Sequence, residues 1–589
     1  MQHFFPPYRP QYKWFALVVS CCLCLLTSSS AYAQTPSWNL VMAANQPNGS
    51  SSVEGITTGL NGDVYLTGWF SGTIQWGNIT LTSAGNNDVF VAKWNTAQGS
   101  FTWVKQVGGA GSDNGISVAV SGTNLYVTGS FSSTVNFDGV TLTTTGASDG
   151  FVAKLSDAGS SANFIWAQHI NGVGRDFTSD VVVNGSSVYV SGLFFSPTLS
   201  LGPINIANTT ASGTSYDTYV AKLTDAGNSA NFVWAQRLGG PGGESIQGLA
   251  VSGTSVYVGG VFDDNTLAVG SVNLTNAGDL TAPVASTDVF VAKLTDAGSS
   301  ATFTWAVRAG GSSFDYLQGL VANGSNIYIV GDLISTRADF GTTIIDNTDP
   351  TGQTEDMFVA KLTDTGSTAG FVWTQKAGGL GYDFSWAVAV SGANVYVTGG
   401  FDSATATFGN HSIATTNTST GYDMFVTKLT DSGSTGTFQW VQQAGGASSD
   451  DSRSIAIYGA TVYIGGYVTP VAYFGNQTIT GNRVGISFFA SLNDTGVLSD
   501  KSYDLLTRTE VYPNPAHSHT RVILPSMPGI SEVLLTLTDP LGRVMRTQRV
   551  PLQPTGSSVE LSLENLNSGI YCLHAQAGNQ RANLRLVVE

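Results

Sequence analysis

Three short sequence patterns recur seven times along this chain of 589 residues, and they constrain the fold more than any other feature. Successive copies of the first pattern lie 61 to 71 residues apart. A period of this length is typical of a repeat array in which each unit packs against its neighbours. The patterns are the aromatic residue that opens F-V-A-K-L (Phe90, Phe151, Tyr219, Phe290, Phe358, Phe425 and Phe488), the Tyr of V-Y-V-x-G (Tyr65, Tyr126, Tyr189, Tyr257, Tyr328, Tyr396 and Tyr463) and a Trp in F-x-W-A-Q (Trp38, Trp103, Trp166, Trp234, Trp305, Trp373 and Trp440).

Each unit predicts four short β-strands. In the second unit, runs of alternating apolar and polar residues cover 117–120, 125–128, 150–155 and 164–168, separated by Gly, Asn, Ser and Asp. Four antiparallel strands repeated seven times predict an all-β fold, a seven-bladed β-propeller of four-stranded blades. A solenoid is the alternative, but it would need atypical capping repeats at both ends.

The two ends of the repeat region predict how the ring closes. The last copy follows the pattern through 486–492 and then stops without its Trp strand, whereas the region begins with an isolated Trp strand at 37–43. We therefore expect the strand around Trp38 to pair with the strand around Phe488. This pairing would close the propeller by an N-terminal strand and remove the exposed sheet edges of an open array.

The repeat text also resembles a known family. The string G-G-x-x-x-D-x-x-x-x-V-A-V-S-G-x-x-V-Y-V-T-G at 378–399 is similar to the bacterial β-propeller repeat known as SBBP. The resemblance covers residues 34–497. It implies a propeller in an extracellular setting and carries no single activity with it.

The C-terminal residues 505–589 resemble the type A sorting domain of the Bacteroidota type IX secretion system. Three motifs carry the resemblance in order: Tyr512-Pro513-Asn514-Pro515, then Asp539 to Gly542 and Arg543, then Leu566 to Gly569 and Tyr571. The resemblance implies a small β-sandwich after a linker at 498–504. It further implies that the outer-membrane translocon binds this domain, which is removed when the protein is released or attached to lipopolysaccharide.

The N-terminal residues 1–33 are typical of a secretory signal peptide. Arg9 and Lys13 precede an apolar run at 14–26, and Ala31-Tyr32-Ala33 supplies the cleavage site. The apolar run is shorter than the roughly 20 residues that span a bilayer. We therefore expect a mature chain without a transmembrane segment, exported across both membranes and secreted or held at the cell surface.

Charge argues against some partners. The chain has 24 Lys and Arg against 40 Asp and Glu, with a formal net charge of −16. This acidic surplus argues against binding of nucleic acid or of an anionic membrane.

One set of acids recurs thirteen residues before the repeat Tyr, at the predicted start of each first strand. Convergent carboxylates of this kind suit a cation such as calcium, or a polyhydroxyl ligand. The alternative is that they form turns and accept hydrogen bonds from loop N–H groups, as do two further sets of repeated Asp residues. The set consists of Asp113, Asp176, Glu244, Asp315, Asp383 and Asp450; the first unit has Ser52.

Signs of catalysis are few. The repeat region holds only His169 and His411, at different repeat positions, and no nucleophile or phosphate-binding motif, so we expect no catalytic residues, no bound metal and no required cofactor.

The connections between the repeat Tyr and F-V-A-K vary most in length and lie on the same face as the repeated acids, which makes this face the expected binding surface. We expect a non-enzymatic binding or adhesion module whose partner is a glycan or a surface protein. The alternatives are a glycan-active hydrolase or lyase that uses carboxylates on this face, and a purely structural surface component.

Overall fold

The computed structural model describes residues 35–210, 215–278, 286–416, 421–494, 509–524, 532–539, 543–553, 557–577 and 580–589. These residues separate into two compact units, one before residue 497 and one after it. The predicted signal peptide, the linker at 498–504 and Gly542 lie outside the described residues. All regular structure in the described residues is β-strand, so the predicted all-β class is confirmed.

The first unit contains antiparallel sheets of four long strands that resemble propeller blades, and in three of them the fourth strand also pairs with a short hairpin of the next sheet. In the described residues there are seven, numbered here sheet 1 to sheet 7. Their strands are Ser51–Thr58, Val64–Trp76, Ile79–Asn95 and Ser100–Val107 (sheet 1); Asn114–Ser121, Asn124–Phe131, Asp149–Asp157 and Ala162–Asn171 (sheet 2); Asp176–Asn184, Ser187–Phe194, Asp217–Asp225 and Ala230–Leu238 (sheet 3); Glu244–Ser252, Ser255–Phe262, Asp288–Asp296 and Ala301–Gly311 (sheet 4); Asp315–Asn323, Asn326–Leu333, Asp356–Asp364 and Ala369–Ala377 (sheet 5); Asp383–Ser391, Asn394–Phe401, Asp423–Asp431 and Gly436–Gly446 (sheet 6); and Asp451–Tyr458, Thr461–Val468, Ile486–Asn493 and Trp38–Ala43 (sheet 7).

The N-terminal strand completes sheet 7, as predicted. It pairs antiparallel with Ile486–Asn493, and Ala43 faces Phe488 across the pair. The predicted equivalence of Trp38 with the repeat Trp is wrong by two residues. Trp38 faces Leu492 and Leu40 faces Ser491, whereas in sheet 1 Phe101 faces Trp94 and Trp103 faces Lys93.

Trp38 therefore occupies the Phe position of F-x-W-A-Q, and Leu40 occupies the Trp position. The physical reason is that residues two apart in a strand lie on the same face, so an aromatic at either position matches the sequence pattern.

Seven buried apolar cores hold the sheets together, and six of them combine residues of two sheets that follow one another in the chain. Tyr65 and Trp103 of sheet 1, for example, pack with Phe151 of sheet 2. One core joins the last sheet to the first, because Tyr463 and Phe489 pack with residues of sheet 1. Neighbouring sheets thus cover each other's apolar faces.

The sequence prediction missed a short hairpin in the connection between the second and third strands. In sheet 2 the hairpin turns at Asp138-Gly139, which have φ values of 49° and 108°. An Asp-Gly pair between alternating residues is a strong hairpin signal, and the prediction did not use it. The hairpins are Thr134–Phe137 with Val140–Thr143, Thr198–Leu201 with Ile204–Ala207, Thr266–Val269 with Val272–Thr275, Arg337–Phe340 with Thr343–Asp346, Ala406–Phe408 with His411–Ile413, and Ala472–Phe474 with Gln477–Ile479; in sheet 1 the second and third strands themselves extend into the hairpin.

The second unit has two antiparallel sheets around one apolar core. One contains Glu510–Tyr512, His519–Leu524 and Ser557–Ser562; the other contains Glu532–Thr538, Val544–Pro551, Gly569–Ala577 and Gln580–Val588. The core combines residues of both sheets, among them Val522, Leu561, Leu535 and Leu573. No helix long and apolar enough to cross a membrane occurs in the described residues of either unit.

Candidate functional site

The six acids predicted as a ligand-binding set all lie at or just before the start of a first strand, and every one of them is 0% exposed. Asp315 is representative: it accepts hydrogen bonds from the N–H groups of Gly311 (2.6 Å) and Ser335 (3.2 Å) and from the Ser335 hydroxyl (2.8 Å). Gly311 ends the fourth strand of sheet 4, and Ser335 lies in the connection that follows the second strand of sheet 5. The carboxylates of Asp113, Asp176, Glu244, Asp315, Asp383 and Asp450 are therefore enclosed by the chain's own loops. In sheet 1 the corresponding residue is Ser51, which faces Phe70, and not Ser52 as the sequence predicted.

Burial gives these acids unusual titration behaviour. It raises the pKa of Asp113 and Asp176 to about 6, and the pKa of Asp315, Asp383 and Asp450 to about 7. The pKa of Glu244 is also raised, by burial and by its hydrogen bond with Asp264. The folded protein therefore keeps protons that the unfolded chain releases above about pH 4.

We predict that the first unit is less stable towards urea at pH 8 than at pH 5. A carboxyl whose pKa is raised on folding contributes most below its unfolded pKa, and its contribution is lost as the pH rises through the folded value. The Asp315→Asn variant removes one such group and should reduce the difference between the two midpoints. An equal or higher midpoint at pH 8 would contradict the prediction.

A second repeated Asp lies at the start of the F-V-A-K strand, and its hydrogen-bond partners belong to its own sheet. Asp149 accepts hydrogen bonds from the Thr145 N–H (2.8 Å) and from His169 (2.7 Å). His169 is therefore a structural partner of Asp149, and His411 lies in the hairpin of sheet 6. The described residues contain no group of three or more His, Cys, Asp or Glu side chains placed to hold a metal ion.

A third repeated Asp, at the end of the F-V-A-K strand, links each sheet to the one before it. Asp296 of sheet 4 accepts hydrogen bonds from three side chains of sheet 3: Tyr189 (2.7 Å), Lys222 (2.6 Å) and Trp234 (3.0 Å). Burial alone would raise the pKa of Asp296, but these donors outweigh it and lower the pKa. We call this arrangement the inter-sheet cluster. Its acceptors are Asp157, Asp225, Asp296, Asp364, Asp431 and Asp494.

The junction between sheets 7 and 1 lacks this cluster. Ser491 stands where the other sheets have Lys, Leu40 stands where they have Trp, and Thr96 stands where they have Asp. Tyr463 is retained, and its hydroxyl is hydrogen-bonded to Thr96. This junction therefore lacks the buried ion pair of the others and is held by apolar packing and by neutral hydrogen bonds, such as that between the Ser51 and Ser487 hydroxyls (2.8 Å).

A central cavity of about 370 Å³ is lined by the first strands of all seven sheets. Four of its residues carry an ionisable group or a large ring: Glu54, Asp180, Trp386 and Arg453. Each first strand contributes one residue at the equivalent position, namely Glu54, Ile116, Ser179, Gln247, Gln318, Trp386 and Arg453.

A second cavity, of about 350 Å³, breaks the sevenfold repetition and is confined to sheets 5, 6 and 7. It lies at the end of the sheets where the first strands begin and the second strands end, which is the face the sequence predicts for binding. We call it the aromatic cleft. Its lining residues are Tyr316, Phe384, Trp386, Tyr422 and Tyr467, together with Gln318, Asp332, Glu355, Ser449, Asp450, Asp451 and Arg453.

The rings of the cleft contact one another edge to face. The centroids of Phe384 and Tyr422 are 5.0 Å apart, and those of Phe384 and Trp386 are 5.7 Å apart. The guanidinium carbon of Arg453 lies 4.3 Å from the centroid of the Trp386 ring, and its Nε donates a hydrogen bond to Asp451 at 2.6 Å. One end of the cleft is thus filled by a side chain of the protein.

The other end is acidic. Asp332 is 2% exposed and accepts hydrogen bonds from the Ser385 N–H (2.7 Å) and the Gln318 amide (3.0 Å). Burial and the charge of Glu355 raise the pKa of Asp332. Burial and the charge of Asp402 raise the pKa of Glu355 to about 7.

Asp450 is the one predicted acid that lines the cleft. Sequence reasoning missed the other residues because most of them occupy positions where the repeats differ. Asp332 lies four residues after the repeat Tyr, where the other units have Trp69, Ser130, Leu193, Val261, Gly400 and Tyr467. A search for shared residues discards such positions. A search for charged or aromatic residues that depart from the repeat would have found Asp332 and Tyr467.

The motif residues of the C-terminal unit mostly stabilise local structure. Asn514 donates a hydrogen bond to the Arg585 carbonyl (2.7 Å) and accepts one from the Val587 N–H (2.9 Å). Asp539 accepts hydrogen bonds from the Arg543 N–H (2.9 Å) and Nε (2.7 Å). The Tyr571 hydroxyl donates to the Asn567 carbonyl (2.8 Å), whereas Tyr512 is 74% exposed.

Comparison with known families identifies this C-terminal unit. Residues 510–589 match the family described as the secretion system C-terminal sorting domain. The chain therefore carries a type IX sorting tail, which marks proteins exported to the cell surface or the extracellular space.

Comparison with other proteins gives weaker matches. A curated relative, the regulatory protein FlaEY of Caulobacter vibrioides, is 25% identical over 317 residues, which cover 52% of this chain and 31% of that protein. The chain thus spans about a third of the length of this relative. Among solved structures, a mutant Trypanosoma rangeli sialidase has a TM-score of 0.30 at 10% identity and covers 93% of this chain and 89% of its own. A glycoside hydrolase of family 32 from Bifidobacterium adolescentis has a TM-score of 0.24 at 8% identity and covers 94% of each chain. At these scores the structural matches carry no argument about activity.

Proposed function

We propose that residues 34–497 form a closed seven-bladed propeller of the SBBP repeat type and act outside the cell as a non-enzymatic binding or adhesion module. The seven shared cores, the central cavity and the pairing of the N-terminal strand with Ile486–Asn493 support the ring. The segment 505–589 is a small β-sandwich that binds the type IX translocon and is then removed.

The observation that carries the binding function is the aromatic cleft. Aromatic rings next to a few polar groups in a cavity of about 300–1,000 Å³ are typical of small-ligand sites. Tyr and Trp rings stack on sugars and leave their polar groups free for hydrogen bonds. A glycan is therefore the ligand class we propose for the cleft.

The test is a glycan array on the chain that starts at residue 34, with and without calcium. We expect Tyr422→Ala to weaken binding at least tenfold, because it removes a wall of the cleft. Tyr473→Ala is the matched control, since Tyr473 is 53% exposed on the hairpin of sheet 7 outside the cleft. Failure to bind any sugar or cell extract would overturn the proposed function.

One observation favours a glycan hydrolase as a second candidate. Asp332 and Glu355 are two acids with raised pKa values in one cleft, and hydrolases pair such groups. Against this, Asp332 is buried and both of its oxygens accept hydrogen bonds, so only Glu355 is free to meet a substrate. Release of reducing ends from a bound glycan, abolished by Glu355→Gln, would favour the hydrolase.

A further inference from the structure

The charge of the aromatic cleft is unbalanced. Its lining contains four carboxyl groups and a single basic side chain, Arg453, which is already paired with Asp451. Within the described residues, Asp332 and Glu355 form no ion pair. A third acid, Asp402, lies close enough to raise the pKa of Glu355. The unpaired acids therefore lie together at one end of the cleft.

Aromatic rings surround this acidic end. Phe384 and Tyr422 form its walls, and Tyr316 lines the same cavity as Glu355. Burial raises the pKa values of Tyr316 and Tyr422, and nearby carboxyl charges, that of Glu355 among them, raise both further. The face of an aromatic ring carries partial negative charge and attracts a cation. Rings and carboxylates at this end thus favour the same kind of ligand group.

The protein itself places a cation on these rings. At the other end of the cleft, Arg453 lies 4.3 Å from the Trp386 centroid and 5.8 Å from that of Tyr467. No basic side chain takes the equivalent place beside Glu355 among the described residues. A positively charged ligand would supply the cation that is missing beside Glu355.

We propose that the acidic end of the aromatic cleft binds an ammonium group carried by the ligand, with Glu355 as the carboxyl that meets it and with Tyr316, Phe384 and Tyr422 as the surrounding rings. An amine-bearing sugar is the ligand that joins this chemistry to the proposed glycan binding, on which the inference rests. A neutral sugar would leave the Glu355 carboxyl without a partner, whereas an ammonium group would favour its ionised form and pair with it.

The test compares ligands that differ mainly in charge. Choline is compared with its neutral isostere 3,3-dimethyl-1-butanol, and a glucosamine tetramer with the N-acetylglucosamine tetramer, by calorimetric titration of the chain from residue 34. We expect each charged compound to bind at least tenfold more tightly than its neutral partner. Glu355→Gln should remove this preference.

Asp346→Asn is the matched control, because its side chain is 69% exposed on the hairpin of sheet 5 outside the cleft. It should leave both affinities unchanged. Equal binding of charged and neutral compounds, with Tyr422→Ala still weakening both, would overturn the ammonium proposal and leave glycan binding intact. Absence of binding by all four compounds and by the glycan array would overturn both.

Discussion

Replacing Asp296 with alanine is expected to lower the free energy of unfolding by about 3–5 kcal/mol, the usual cost of removing one partner of a buried ion pair. The side chains of Asp296 and Lys222 are 6% and 9% exposed, and the pair lies between two sheets. The substitution leaves the Lys222 ammonium, the Tyr189 hydroxyl and the Trp234 N–H without their shared acceptor. A buried donor that loses its acceptor keeps the full cost of its desolvation.

The junction between sheets 7 and 1 supplies the control for this experiment. Thr96 stands in the position of Asp296 but belongs to no ion pair. Its hydroxyl donates a hydrogen bond to the Gly62 carbonyl (2.6 Å) and is hydrogen-bonded to Tyr463, so Thr96→Ala should cost about 2 kcal/mol, the usual value of two neutral hydrogen bonds. Urea unfolding with a common m-value measures both variants. If both substitutions lowered the free energy of unfolding by similar amounts, the inter-sheet cluster would add nothing to stability beyond packing.

The repeat explains why the sequence predicts the strands but not this cluster. The Tyr, Lys, Trp and Asp positions recur with one period, so the sequence shows that they belong to the architecture. The sequence does not show which Asp the Tyr189 hydroxyl contacts. Asp225 at the end of the next F-V-A-K strand and Asp296 at the end of the following one occupy the same repeat position. The structure gives the answer: the hydroxyl of Tyr189 reaches Asp296, and the register between sheets decides it.

The aromatic cleft was beyond prediction for a different reason. Glu355 directly precedes the repeated Asp356, and Tyr316 directly follows the repeated Asp315, so each sits beside a buried acid of the repeat. Only the folded first unit brings such neighbours from sheets 5, 6 and 7 to one cavity. Repeat-fixed acids were the more visible candidates, and the structure encloses them within loops.

Trp38→Ala is expected to cost about 3–5 kcal/mol of folding free energy, because truncating a buried Trp removes apolar contacts and leaves a cavity. Trp38 is 9% exposed, and its ring meets Phe474 edge to face at 5.1 Å. Its strand completes sheet 7, and the junction with sheet 1 has no inter-sheet cluster to compensate. Loss of this contact should therefore weaken the whole first unit and not only its N-terminal residues.

The register of the N-terminal strand provides a sharp control. Trp38 occupies the position that the other sheets fill with Phe101, Phe164, Phe232, Phe303, Phe371 and Phe438, so Trp38→Phe should cost less than about 1.5 kcal/mol. Trp38→Ala should shift the urea midpoint of every spectroscopic signal from the first unit together. An alanine variant as stable as the parent would mean that the N-terminal strand contributes little to the first unit. A strand that completes sheet 7 should not lose its main buried side chain without weakening the sheets packed against it.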